Sequence, residues 1–139
     1  MMQAYPNAAI VFNQTYALLS EAKAALVTSG TATLETALFG VPEVVCYRGS
    51  RISYLIAKRL IRIRFISLVN LIMDREVVKE LIQDALTADN LQRELDALLH
   101  DPAVRSRITA DYAALRAVLY PAGNASSNAA HIILQLLGK

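Results

Sequence analysis

A chain of 139 residues, 55% hydrophobic and 19% charged, is about one domain long and apolar enough to bury a core, which excludes an intrinsically disordered protein. Its mean hydropathy of +0.35 raises the membrane question, but no run reaches the ~18 uninterrupted apolar residues of a spanning helix. The net charge of +2 conceals one basic segment, Arg48, Arg51, Lys58, Arg59, Arg62 and Arg64; the remainder carries eight basic residues against twelve acidic ones.

Such a segment points to an anionic partner: phosphate, nucleic acid or an acidic membrane surface. The opening Met1-Met2-Gln3-Ala4-Tyr5-Pro6 has neither the basic nor the apolar region of a signal peptide. A cytoplasmic location is expected. The single Cys46 excludes an internal disulfide and a cysteine-cluster metal site. His100 and His131 stand too far apart in sequence to favour a histidine metal site.

The first half alternates short β-like runs with helical stretches. Residues 8–12, a compact apolar run, read as a first strand, followed by a helix with Tyr16, Leu18 and Leu19 on its inner side. Residues 24–28 read as a second, buried strand closed by Ser29-Gly30. The spacing of Leu34 and Leu38 predicts a helix over 31–39, stopped by Gly40 and Pro42. Residues 44–47 form the third expected strand. Ile52, Ile56, Leu60 and Ile63 then make one apolar stripe along an amphipathic helix over 51–64, with Arg51, Lys58 and Arg62 on another face.

Residues 65–68 are the fourth expected strand, leading into Val69-Asn70. From there the pattern is helical: 76–83 with Val77, Val78, Leu81 and Ile82 inward, then a helix capped by Thr87, one opened by Pro102, and a last one over 125–137. Strands without polar alternation, joined by helices, imply an α/β fold: a Rossmann-like parallel sheet with helices on both faces and a helical C-terminal tail. One domain over 1–139 is expected. The chain opens almost directly into a strand, which hints at the later portion of something larger.

The stretch from Val27 to Glu35 carries the clearest chemistry. A strand runs into a Ser-Gly-Thr turn that opens a helix, where the first amides lack intrahelical partners and the dipole favours an anion. Ser29 and Thr31 add hydroxyl donors, and Glu35, one turn on, could accept from a ribose hydroxyl. The plainer alternative is that Ser29 or Thr31 only caps a helix. A single glycine is no Walker loop or dinucleotide fingerprint.

The run Ser29-Gly30-Thr31-Ala32-Thr33-Leu34-Glu35, followed by Val41-Pro42 and Val44-Val45-Cys46-Tyr47-Arg48, resembles the lipid-A-disaccharide synthase family. So do Ile56-Ala57-Lys58-Arg59-Leu60, the segment from Ser67 to Ile72, and the segment from Glu76 to Gln83. The Ser-Gly-Thr turn with its glutamate is shared with other GT-B glycosyltransferases; the Asn-Leu-Ile run with Glu-Val-Val-Lys-Glu-Leu is narrower.

The resemblance implies the C-terminal lobe of a GT-B fold, binding a UDP-sugar. The implied reaction transfers 2,3-diacylglucosamine from UDP to 2,3-diacylglucosamine 1-phosphate, with inversion, no metal and no other cofactor. It is a hexosyltransferase reaction whose acceptor lobe and general base lie outside this sequence, so the chain alone is expected to be inactive. Ser29, Gly30 and Thr31 match the diphosphate turn and Glu35 the ribose position. Tyr47 and Arg48 end the third strand, where Arg48 would neutralise the leaving diphosphate. Asn70 would donate to a phosphate or sugar hydroxyl in a supporting catalytic role.

Plainer readings stand beside these. Tyr47 packs at a strand end, Arg48 is a solvated charge, Asn70 is a turn residue, Cys46 is a small core hydrophobe, and His100 meets a helix dipole. The expected partners are UDP-2,3-diacylglucosamine and a lipid acceptor. The basic segment adds a peripheral contact with anionic lipid at the inner face of the inner membrane, and a homodimer is compatible with this picture. Nucleic acid is not expected, because no helix-turn-helix spacing accompanies the basic residues. Two rivals remain: a non-catalytic nucleotide-binding regulatory module, and another UDP-sugar enzyme such as an epimerase.

Overall fold

The computed structural model describes residues 8–28, 30–49, 64–120 and 125–138. In chain order these form α1 (Thr15–Glu21), β1 (Ala25–Thr28), α2 (Thr31–Leu38), β2 (Glu43–Tyr47), α3 (Leu68–Met73) and β3 (Lys79–Ile82). A 3₁₀ turn (Gln83–Ala85) follows, then α4 (Ala88–His100), α5 (Pro102–Leu119) and α6 (Ala125–Leu136). The three strands make one parallel sheet in the order β1-β2-β3, with Ala25 opposite Glu43 and Val44 opposite Lys79. The expected α/β architecture is present.

Burial on the central strand shows why. Val44 and Val45 point to opposite faces of β2, yet neither is accessible to solvent, so both faces are covered. Helix α2 packs on β1, β2 and α3, while α4 packs on β2 and β3. Helix α5 joins the two sets, touching α2, α3 and α4. It brings Ile108, Tyr112 and Leu115 into the core formed by Val44, Val45, Val69, Val77, Val78, Leu81 and Leu98.

Local chemistry sets the helix ends, at Gly40, Thr87 and Pro102 as expected. Gly40 turns the chain at φ 78 after α2, and Arg116 of α5 donates to the Leu38 carbonyl at 2.6 Å, a cation at a helix C-terminus. Thr87 caps α4 by accepting from the Asn90 amide, and Asp101 caps α5 ahead of Pro102.

Five expectations are corrected. Residues 8–12 form no strand, and Ile10 and Phe12 are 53% and 78% exposed. An apolar run becomes a strand only where a neighbour takes its ladder, and among the described residues β1 pairs with β2 alone. In α1 only Leu19 is buried; Tyr16 and Leu18 face solvent. At the outer position in the sheet, β1 itself alternates half-buried and exposed residues rather than being buried throughout.

The other two corrections share one cause. Residues 65–68 are not a strand, because the Ile66 and Ser67 amides donate to the Glu80 carboxylate and the Ser67 hydroxyl caps α3. Residues 76–83 are not a helix: the Val77 and Val78 amides donate to Asn70 Oδ1, and the chain runs on as β3. Side-chain acceptors outcompeted local backbone pairing at both places. The helix expected over 51–64 lies outside the described residues except for Arg64, which is not helical.

Candidate functional site

The ends of β1, β2 and β3 at Thr28, Tyr47 and Ile82 lie on one edge of the sheet, because all three strands run parallel. Open α/β sheets bind ligands at this edge. The turn after β1 meets the start of α2 here. Ser29 lies outside the described residues, whereas Gly30 is exposed at φ 145. A Cβ built there would meet no heavy atom within 4 Å among the described residues, which leaves its outer face open on that side. The conformation itself favours glycine. Thr33 fastens the turn, its Oγ1 donating to the Gly30 carbonyl at 2.8 Å. Thr31, the first residue of α2, is exposed at the helix start.

Glu35 is half-buried one turn into α2 and lines a cavity of about 540 Å³ with Asn13, Gln14, Thr15, Tyr16 and Ala17. Tyr16 stacks on Phe39 at a centroid distance of 5.3 Å, which ties α1 to the far end of α2. Asn13 adopts φ 56, a conformation that asparagine tolerates better than most residues.

Beyond β2, the Tyr47 ring folds back over Gly49: a Cβ on Gly49 would come within 2.8 Å of the Tyr47 hydroxyl. Arg48 reaches across to the loop after β3, where its Nη2 donates to the Leu86 carbonyl at 2.9 Å. Gln83 returns the tie, its Nε2 donating to the Gly49 carbonyl at 3.2 Å. Arg48, Gly49, Gln83 and Asp84 line a cavity of about 290 Å³. The sequence pattern placed Gln83 in a helix and gave no sign of it; its position emerges only once 79–82 is read as a strand.

Asn70 does not join this edge. It is fully buried inside α3, not at a strand end. Its Nδ2 donates to the Val78 carbonyl and to Glu80, while its Oδ1 accepts from the Val77 and Val78 amides. Both halves of the amide are committed within the protein. Cys46 is half-buried and burial pushes its thiol up, which favours the protonated form over a nucleophilic thiolate. His100 sits in the last turn of α4, and His131 pairs with Gln135 on the exposed α6.

Residues 4–132 match the family model described as lipid-A-disaccharide synthetase. The lipid-A-disaccharide synthase of Acidobacterium capsulatum is 43% identical over 123 residues, covering 86% of this chain and 31% of its own length. That of Geobacter sulfurreducens is 39% identical over 127 residues, covering 91% and 33%. That of Syntrophus aciditrophicus is 40% identical over 134 residues, covering 96% and 35%. The chain thus spans about a third of the length of these relatives.

Proposed function

The chain belongs to the lipid-A-disaccharide synthase family, and from that premise we propose that it is the donor-binding portion of a glycosyltransferase. It would hold UDP-2,3-diacylglucosamine while the sugar passes to 2,3-diacylglucosamine 1-phosphate. The observation that carries this reading is the Gly30 turn, open on its outer side at a strand end and running straight into α2.

In this reading the diphosphate lies against Ser29, Gly30 and Thr31, where unpaired helix amides and hydroxyls meet its charge. Glu35, at the wall of the larger cavity, accepts from the ribose hydroxyls. Arg48, on the neighbouring strand end, faces the charge that develops on UDP as the anomeric C–O bond breaks. Tyr47 and Gly49 shape the loop that presents it. The acceptor hydroxyl attacks the anomeric carbon, its proton passes to a base outside this chain, and UDP leaves with the bonding electrons. Asn70 supports the site from inside the fold by tying α3 to β3. The basic segment around residues 48–64 supports a peripheral contact with anionic lipid, worth ~1 kcal/mol per well-placed cation.

Calorimetry with UDP tests the donor site. Gly30→Ala puts a Cβ on the open face at a backbone angle suited to glycine and should lower UDP affinity at least tenfold, with circular dichroism unchanged. Equal affinity in both proteins would remove the diphosphate from this turn.

A further inference from the structure

Gln83 stands where β3 ends, and its backbone is left-handed at φ 52. A residue with a Cβ adopts that conformation at a cost that glycine escapes and asparagine tolerates better. Gln83 is nevertheless only 8% exposed, so its side chain is packed rather than waving in solvent. Strained backbone held by its surroundings is characteristic of functional turns.

The turn has two consequences, one from the backbone and one from the side chain. The 3₁₀ turn that it opens closes with the Leu86 amide on the Gln83 carbonyl at 3.2 Å, which delivers the Leu86 carbonyl to Arg48 Nη2 at 2.9 Å. The side chain donates to the Gly49 carbonyl, the residue next to Arg48. Two bonds therefore cross between the loops after β2 and β3 in opposite directions, one from Arg48 and one to its neighbour Gly49. A guanidinium carries five donors in a rigid fork. One donor is spent on Leu86, which fixes the fork and leaves others for an anion.

We propose that Gln83 is the positioning residue for Arg48, holding its guanidinium at the strand-end edge ready for the diphosphate of the donor. This inference rests on the donor-site reading above. It explains what glutamine adds at a position where glycine would relieve the backbone: glycine allows the turn but cannot hold Gly49.

The test is a mutant cycle on the chain, with UDP and inorganic diphosphate as calorimetric probes and thermal denaturation as the folding control. Arg48→Ala should weaken both probes about tenfold, as expected for a lost hydrogen bond to a charged group. Gln83→Gly should keep or raise the melting temperature, since it relieves the left-handed residue, yet weaken both probes at least fivefold. Adding Gln83→Gly to Arg48→Ala should cost less than twofold more, because the positioned group is already gone. A merely structural role for Gln83 would lower the melting temperature and add its effect to that of Arg48. Wild-type affinity in Gln83→Gly, or full additivity in the double variant, overturns the positioning role alone. Absence of UDP binding by the unaltered chain overturns this role and the donor-site reading together.

Discussion

Glu43 is the residue that least fits its surroundings. It opens β2 with a fully buried side chain, and neither carboxylate oxygen has a hydrogen-bond partner among the described residues. A charged, unpartnered carboxylate is costly to bury, so the group holds its proton instead. Desolvation pushes its pKa up to about 9 from 4.5. Tyr112 of α5 lies close by, with its own pKa driven up first by burial and then by the Glu43 charge. Glu76, Lys79, Glu94 and Arg107 line the same cavity of about 180 Å³.

The folded state binds the Glu43 proton more tightly than the unfolded chain does. Its contribution to stability is thus fully present below about 4.5 and is lost as pH rises through about 9. The unfolding free energy from denaturant melts should fall across that window with a slope of up to about 1.4 kcal/mol per pH unit. Glu43→Gln, which keeps the shape without the titration, should flatten the slope. An identical slope in the variant would mean that another group is responsible. Glu35, on the opposite edge, makes a prediction of its own: Glu35→Gln should weaken UDP about tenfold while leaving inorganic diphosphate within twofold, because only UDP carries ribose hydroxyls. Equal losses would make it a support of helix α2 rather than a ribose contact.

Among the elements, those written in local signals were legible in the sequence. Helices α2, α4 and α5 announce themselves through Gly40 and Pro42, through Thr87, and through Pro102, and each begins or ends within a residue of expectation. β2 was legible as a continuous apolar run. β3 was not, because Val77-Val78 and Leu81-Ile82 repeat at a spacing of four that a helix shares. Only Asn70 and Glu80, brought together by the fold, decide the matter. Glu80 accepts from the Ile66 and Ser67 amides, from Ser67 Oγ and from Asn70 Nδ2, all within 2.9 Å.

That knot yields an element-scale prediction. Asn70→Ala strips partners from two amides, a carbonyl and a carboxylate in a buried place, and should cost about 3 kcal/mol or more in urea unfolding. The UDP affinity of the protein that remains folded should change less than twofold. If the unfolding midpoint stays fixed while UDP binding disappears, Asn70 meets the ligand directly, as the sequence resemblance implied. Of the candidate site, the Ser-Gly-Thr turn was visible because glycine and hydroxyl residues between strand and helix form a local pattern. The Arg48–Leu86 and Gln83–Gly49 bonds were invisible because they span 38 and 34 residues and depend on the two strands running side by side.

At the scale of the whole molecule the sheet has two unlike ends. One edge carries Gly30, Arg48 and Gln83 with open cavities; the other carries Glu43 against α4 and α5. No helix among the described residues is long and apolar enough to cross a membrane. Every described residue from Ser126 to Gly138 is exposed, although Ile132, Ile133, Leu136 and Leu137 are apolar. Transfer needs an acceptor held in line with the anomeric carbon and a base beside it. The site proposed at the strand-end edge accounts for contacts to the donor alone, so the chain by itself is expected to bind UDP and to make no disaccharide.

The most direct measurement is a nuclear magnetic resonance titration of the ¹⁵N-labelled chain with UDP. The account predicts that the amides of Gly30, Thr31, Glu35, Arg48 and Gln83 shift together and saturate with one affinity, while those of Glu43, Leu98 and Arg107 at the far edge stay in place. Shifts confined to the far edge, or none at any UDP concentration up to the millimolar range, would contradict it.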